Sequence, residues 1–330
     1  MADGAQGSEV ATGSLISLVV PVFNEEDVLA DFFARIEPVA RDIIATFDRI
    51  ARVEVVFVDD GSRDRTVELI LAHRSDVLDI KLVRLSRNFR KDNALAAGLI
   101  HSGGDAVIPM DVDLQDPPEV IEQMILAWQD GAKIVNAKRA TRDKDTFLKR
   151  TTSQMFYKVI NRLSDYPIEP NVGDFRLFDR QVVDVLNEMP ERVRFMKGMF
   201  AWVGFAPVTV EYNRDERTAG ESKWNYWKLW NFALDGITGS TTLPIRAWSY
   251  FGACVAIFAV LFGIYLILRT LIFGVDVPGY ASLMVITLFL GACNLIALGM
   301  LGEYIGRLTV ETKKRPIFVV DQVIEHKRNL

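Results

Sequence analysis

Three carboxylates and a carboxamide stand within six residues where an apolar run ends: Asp111, Asp113, Gln115 and Asp116, in Met110-Asp111-Val112-Asp113-Leu114-Gln115-Asp116-Pro117-Pro118-Glu119. Mg²⁺ and Mn²⁺ take a few oxygen ligands from a protein and leave other positions to water and substrate phosphate, so the pattern suits a cation held against a diphosphate. Taken alone, it is also the pattern of an acidic turn capping a helix from Pro118 onward. Ala106 to Met110 reads as a short buried strand that Pro117-Pro118 cannot continue. Asp111 and Asp113 therefore fall where a parallel strand ends, the edge at which open α/β sheets bind ligands.

Three further strands must reach the same edge. Leu15 to Val22 is a continuous apolar run closing on Pro21-Val22-Phe23-Asn24-Glu25-Glu26, and Val28, Leu29, Phe32, Phe33 and Ile36 then recur at helical spacing. Val53 to Val58 stops at Asp59-Asp60-Gly61-Ser62, where Gly61 supplies a turn and Ser62 is placed to cap the helix that follows. Ile80 to Leu85 is followed by Ser86-Arg87-Asn88-Phe89-Arg90-Lys91-Asp92-Asn93 and a helix of small residues through Ala94, Ala96, Ala97 and Gly98. Strand and helix units repeating from the start predict an α/β fold with a mostly parallel, doubly wound sheet. Its polar clusters converge into a nucleoside-diphosphate site with a metal. The chain has no GxGxxG after the first strand and no GxxxxGK[ST], which excludes a dinucleotide oxidoreductase and a P-loop phosphotransferase.

Half the residues are hydrophobic and a quarter charged, but they are unevenly spread. Tyr250 to Leu268 is uncharged and long enough to cross a hydrocarbon core of about 30 Å, and a second uncharged run extends from Val277 to Gly302. Lys223, Lys228 and Arg246 precede the first span and Arg307, Lys313, Lys314 and Arg315 follow the second, with only Arg269 between them. The positive-inside rule then puts both termini and the soluble part in the cytoplasm. Trp224, Trp227, Trp230 and Trp248 form an interfacial anchor ahead of the first span. Residues 1–14 are small and polar without the apolar core of a signal peptide, so the spans direct insertion. Cys254 and Cys293 lie inside the spans and the three histidines are scattered, which argues against a disulfide framework or a zinc site. A net charge of −5 argues against general nucleic-acid binding. Met155, Phe156, Val159, Ile160 and Leu163, flanked by Lys149, Arg150, Lys158 and Arg162, make a stripe suited either to a membrane surface or to packing on the sheet.

These motifs, in this order, resemble glycosyltransferase family 2 in its polyprenyl-phosphate branch, which includes dolichol-phosphate mannose synthase and bactoprenol glucosyltransferase. The resemblance continues through Val172-Gly173-Asp174-Phe175-Arg176-Leu177, Arg194-Phe195-Met196-Lys197-Gly198, the Arg214, Arg217, Gly220, Ser222 and Lys223 segment, and Leu301 to Arg307, covering about residues 15–320. It implies a GT-A type fold with interfacial helices and two C-terminal transmembrane helices. The implied organisation is a disordered N-terminus over 1–14, a cytoplasmic GT-A domain over 15–215, a loop and juxtamembrane helices over 216–247, the two spans over 248–307 and a cytoplasmic tail over 308–330. Position by position, it implies that Pro21, Phe23, Glu25, Val58 and Asp60 line the nucleoside pocket, and that Asp111, Asp113 and Gln115 hold Mg²⁺ or Mn²⁺ and the diphosphate. Arg139, Arg217 and Lys223 would meet donor or acceptor phosphates, Asp174 would lie near the reacting carbon, and Ser86, Val112, Arg150, Ser153 and Arg176 would add substrate contacts. Asp113, Asp174, Arg217 and Lys223 are the expected catalytic set. Two departures stand out: Val112 replaces a commoner Ala, and Arg90-Lys91-Asp92-Asn93 replaces the usual Gly-Lys-Glu-Ala.

The expected reaction is metal-dependent, inverting transfer of one sugar, from a UDP-glucose-like or GDP-mannose-like donor, to a membrane polyprenyl phosphate such as undecaprenyl phosphate. Such an acceptor is mostly dianionic at neutral pH, its second pKa being about 6, so a strong base is unnecessary. Asp174 is then a base, an orienting group, or a structural partner of Arg176 or another arginine. A processive polysaccharide synthase would carry Gln-x-x-Arg-Trp and more spans, and a non-catalytic membrane scaffold would have lost the carboxylates. The Arg214 to Lys223 loop is expected to close over the diphosphate, Gly291, Ala292, Ala297 and Gly299 to pack in a homo-oligomer, a tetramer by resemblance, and Pro316 to Val323 to pair as an added strand between protomers.

Overall fold

A computed structural model describes residues 13–139, 172–189, 191, 192, 194, 196–212, 243–274, 279–326 and 328. Four of its strands are the β-branched runs read from the sequence: β1 (Ser14–Val22), β2 (Ile50–Asp59), β3 (Leu78–Leu85) and β4 (Ala106–Pro109). They lie parallel in the order β3-β2-β1-β4. The intervening helices are α1 (Leu29–Thr46), α2 (Thr66–Ala72) and α3 (Lys91–His101), with α4 (Val120–Gln129) after β4. β4 already stops at Pro109, well ahead of Pro117 and Pro118, whose carbonyls accept from Val120 and Ile121 at 3.2 and 3.0 Å to open α4.

The sheet continues past β4 through strands of mixed direction. β6 (Val172–Asp179) runs antiparallel to β4 and to β5 (Ile134–Arg139), and β7 (Val208–Tyr212) lies parallel to β5 at the edge. Two antiparallel steps restore the original direction. Hence β5 and β7 end, and β6 begins, at the edge where β1 to β4 end: Lys138 pairs with Val172 and Arg139 with Tyr212.

Helices cover both faces, as a doubly wound sheet requires. On one face Leu29, Phe32 and Ile36 of α1, Ile70 of α2 and Ile121 and Met124 of α4 pack on Leu18, Val20, Val55 and Phe57. The other face carries α3, α5 (Arg180–Glu188) and α6 (Met196–Trp202), through Ala94, Ala97, Val182, Val183 and Met199 against Val19, Val56 and Val58. The small residues of α3 have a definite purpose. A Cβ at Gly98 would stand 2.2 Å from Val19 Cγ1, so only glycine lets the helix lie this close to β1.

Helices α7 (Leu243–Phe273) and α8 (Tyr280–Thr312) contain stretches long and apolar enough to cross a membrane, Ala247–Phe273 and Ser282–Thr312, at mean hydropathy 2.6 and 2.2. Neither is buried within the chain. After α8 the chain returns to the sheet as β8 (Val320–His326), antiparallel to the exposed edge of β3. The tail thus adds its strand within its own chain, replacing the expected pairing between protomers. Its short link from α8 and its alternating pattern let it reach the nearest free edge. The Met155 to Leu163 stripe, the Arg214 to Lys223 loop and the first three clustered tryptophans lie outside the described residues.

Candidate active site

The loops after β1 and β2 are stitched together by the residues that stood out in the sequence. Asn24, in the left-handed region at φ 55°, donates its amide to Ser62 Oγ at 3.0 Å and accepts from the Arg63 amide through Oδ1 at 2.8 Å. The Glu25 amide reaches Thr66 Oγ1 at 2.8 Å, and the Glu26 amide Asp64 Oδ2 at 3.2 Å. Ser62 therefore holds the neighbouring loop and does not cap α2. Arg65 has that place, its carbonyl accepting from the Leu69 amide at 2.9 Å, and Asp64 Oδ1 accepts from the Thr66 amide just inside the helix at 3.1 Å.

Asp60 clamps the third loop. Its two carboxylate oxygens accept from the amides of Phe89 at 2.6 Å and Arg90 at 3.0 Å. Burial pushes its pKa up, against the pull of those two amides. The loop so held is tight: Gly61, at φ 81°, passes so close to the backbone of Arg87 and Asn88 that a Cβ would lie 3.0 Å from each. Arg90 itself sits at φ 76° and ψ 158°, a conformation that glycine adopts freely and arginine does not.

Immediately after it, Lys91 opens α3 and joins the two strands that carry the expected chemistry. Its ammonium lies 2.6 Å from Asp111 Oδ1, beyond the end of β4, and 3.0 Å from Asp174 Oδ2, at the start of β6. Asp174 is thus paired on this edge with a lysine from a third element. Desolvation works against the ammonium's charge, but Asp111 and then Asp174 outweigh it and hold Lys91 above the ordinary lysine range. The Lys91 side chain keeps 48% of its exposure and Asp111 41%, so the pair is open to a ligand.

A second cluster flanks the first. Tyr212, at the end of β7, donates its hydroxyl to Asp116 Oδ1, while Arg139, at the end of β5, reaches that hydroxyl with Nε at 3.4 Å and Asp116 with Nη2 at 3.7 Å. Burial, and then the charge of Asp116, raise the Tyr212 pKa and keep the phenol protonated. Sequence reasoning missed both Lys91 and Tyr212. The available signal was positional, since each is the terminal residue of an element at this edge.

The other expected residues divide by environment. Phe23 is 42% exposed beyond β1, and Ser86 is exposed while its amide donates to the Val319 carbonyl at 2.9 Å. Pro21 is partly buried at the end of β1, and Val58 is fully buried with its side chain turned toward Gly98, so Val58 can offer a ligand only its backbone. Val112 is also in the core. Arg176 is buried, its Nε donating to the Gly173 carbonyl at 3.0 Å and its guanidinium 5.1 Å from the Phe200 ring. Asp113 accepts from the Gln115 amide at 3.3 Å across a turn that puts Leu114 at φ 53°. Arg150, Ser153, Arg217 and Lys223 lie outside the described residues.

Among the described residues no three Asp, Glu, His or Cys side chains are grouped to hold a metal by themselves. The donors still fit a hard divalent ion. Asp111 already binds a cation in Lys91, Asp113 and Gln115 add oxygen donors within four residues, and Mg²⁺-type sites rely on one or two carboxylates completed by water and substrate phosphate.

A doubly wound sheet with charged and polar groups gathered at its carboxyl edge defines an α/β domain that binds its ligands at that edge. The match extends to a family: residues 17–186 fit the pattern of glycosyl transferase family 2, and the chain belongs to that family. It is 51% identical over 311 residues to a prophage bactoprenol glucosyl transferase homolog of Escherichia coli, covering 93% of this chain and 99% of the relative. It is likewise 51% identical to the bactoprenol glucosyl transferase of Shigella phage SfV, over 92% and 97% of the two chains, and 48% identical to a glycosyltransferase of Synechocystis, over 93% and 95%.

Proposed function

We propose that the protein transfers a single sugar, with inversion and with a divalent cation, from a nucleoside diphosphate donor to the phosphate of a membrane polyprenyl phosphate. The names of the relatives favour a UDP-glucose-like donor and a bactoprenol-like acceptor. The observation that carries the acceptor assignment is where the chain leaves and re-enters the sheet. Tyr212 ends β7 at the carboxyl edge, ahead of the segment leading to α7, and β8 starts at that edge, where Val320 pairs with Leu85. Only residues 313–319 separate α8 from β8, a link that spans at most about 25 Å. With α7 and α8 in a bilayer, the edge bearing Asp111 and Asp174 is held near the headgroups where a lipid phosphate lies.

In the reaction a phosphate oxygen of the acceptor attacks the anomeric carbon as the bond from that carbon to the donor's β-phosphate oxygen breaks. A single displacement inverts the anomeric configuration. The acceptor oxygen is already anionic, so Asp174 orients hydroxyls and holds Lys91 in place. Arg139, steadied by Tyr212 and Asp116, meets phosphate charge, and Arg217 and Lys223 are assigned to the same task. Asp111, Asp113 and Gln115 would hold the cation, which when bound neutralises charge on the departing diphosphate. The small residues Gly291 and Gly299, with open space around them, support association of α8 in a homo-oligomer, taken here as a tetramer.

The test is to incubate the purified full chain with undecaprenyl phosphate and a panel of UDP- and GDP-sugars, with Mg²⁺, Mn²⁺ or EDTA, and to identify lipid products by mass spectrometry. One sugar per lipid, lost in EDTA and in Asp113→Asn, is the expected result. Polymer formation, or full turnover in EDTA, would overturn the reading.

A further inference from the structure

Lys91 bridges two carboxylates from different strands, and one of them, Asp111, is a ligand assigned above to the divalent cation. An ammonium 2.6 Å from Asp111 Oδ1 occupies the space that a cation on that oxygen would need. Two cations crowded onto one carboxylate repel, so a divalent ion arriving at Asp111 weakens that carboxylate's hold on Lys91 and favours its displacement. Lys91 has somewhere to go. It is about half exposed, it retains Asp174 as a partner, and a diphosphate arriving with the cation brings the negative charge that would receive the ammonium.

We propose that Lys91 is a counter-ion of Asp111, displaced from it onto the substrate's phosphates, so that free divalent cation is bound weakly and cation together with nucleoside diphosphate is bound strongly. Lys91 is then a positioning residue that makes uptake of metal and nucleotide cooperative. The inference rests on the metal-dependent reading of the site. The backbone is arranged to hold the lysine there: Asp60 fixes the Phe89 and Arg90 amides, and α3 begins at Lys91 itself.

The measurement is Mn²⁺ binding to the full-length protein in detergent, followed by electron paramagnetic resonance without sugar donor or lipid, with and without UDP or GDP. Lys91→Gln should bind free Mn²⁺ at least tenfold more tightly than the parent protein and lose most of the enhancement that the nucleotide confers. Lys91→Arg should behave as the parent. Arg90→Gln, which removes a neighbouring cation that touches neither carboxylate, should also leave binding unchanged, and adding Asp111→Asn to Lys91→Gln should abolish the gain. Equal Mn²⁺ affinity in Lys91→Gln and the parent, or an equal gain in Arg90→Gln, overturns the inference while the parent's uptake of Mn²⁺ with nucleotide leaves the proposed function standing. Failure of the parent to take up Mn²⁺ even with UDP or GDP overturns both.

Discussion

Replacing Arg90 by glycine should stabilise the protein, although it deletes a large side chain beside the candidate site. Arg90 holds φ 76° and ψ 158°, a region essentially reserved for glycine that costs other residues about 1–3 kcal/mol. Its guanidinium is exposed and makes no hydrogen bond or ion pair among the described residues, so little is lost with it. Glycine also gives the unfolded chain more freedom, at a cost of roughly 0.5–1 kcal/mol. The difference is a net gain of up to about 2.5 kcal/mol, and of about 1 kcal/mol at mid-range, which for a domain of this size raises the melting midpoint by a few degrees. The assay is thermal unfolding followed by tryptophan fluorescence in one detergent at one scan rate, comparing the parent, Arg90→Gly and Arg90→Ala. Alanine removes the same charge but keeps a Cβ, and so retains the strain. A rise in Arg90→Gly alone is expected. An equal rise in Arg90→Ala would trace the effect to relief of charge repulsion with Lys91, and no rise in Arg90→Gly would refute the strain argument.

Tyr212→Phe removes the hydroxyl that joins Asp116 to Arg139, and should destabilise the fold by about 1–2 kcal/mol and raise the KM for nucleotide sugar more than it lowers kcat. A pure loss of kcat would count against Arg139 as a ground-state phosphate contact. Stability should also fall in acid through Asp179, whose pKa is raised by burial but lowered overall by hydrogen bonds from the Trp128 indole and Lys133 and by the Gln181 amide. A depressed carboxylate contributes its stability above the unfolded pKa of about 3.9 and loses it as pH falls through the lower folded value. Unfolding midpoints measured from pH 6 to pH 3 should therefore drop less steeply in Asp179→Asn than in the parent, and parallel curves would show that Asp179 is not responsible.

The half of the sheet that was legible in the sequence is the half whose strands are buried on both faces. β1 to β4 are continuous runs such as Leu18 to Val20 and Val55 to Val58, and each must end where a polar cluster begins, so the residue pattern alone puts Asp60 and Asp111 on one edge. β6 and β7 gave no such signal, because Val172-Gly173-Asp174 opens one strand with a charge and Val208, Thr209 and Glu211 leave most of the other exposed. Their direction could not be read from periodicity at all. Yet direction decides the site: had β6 run parallel to β4, Asp174 would lie at the opposite edge from Asp111, and Lys91 could not touch both. The same reasoning explains why Ser62, a typical helix-capping type, holds a neighbouring loop, and why Asp60 clamps another. Short polar side chains after a strand satisfy whichever backbone amides the neighbouring loop presents, and those amides belong to residues distant in sequence, Asn24 for Ser62 and Phe89 and Arg90 for Asp60. Residue type therefore revealed that the edge is polar, whereas strand polarity determined which of its charges meet. Lys91 follows from both: a helix that must start where the Asp60 clamp ends, beside a strand running the other way, leaves its first side chain between two carboxylates.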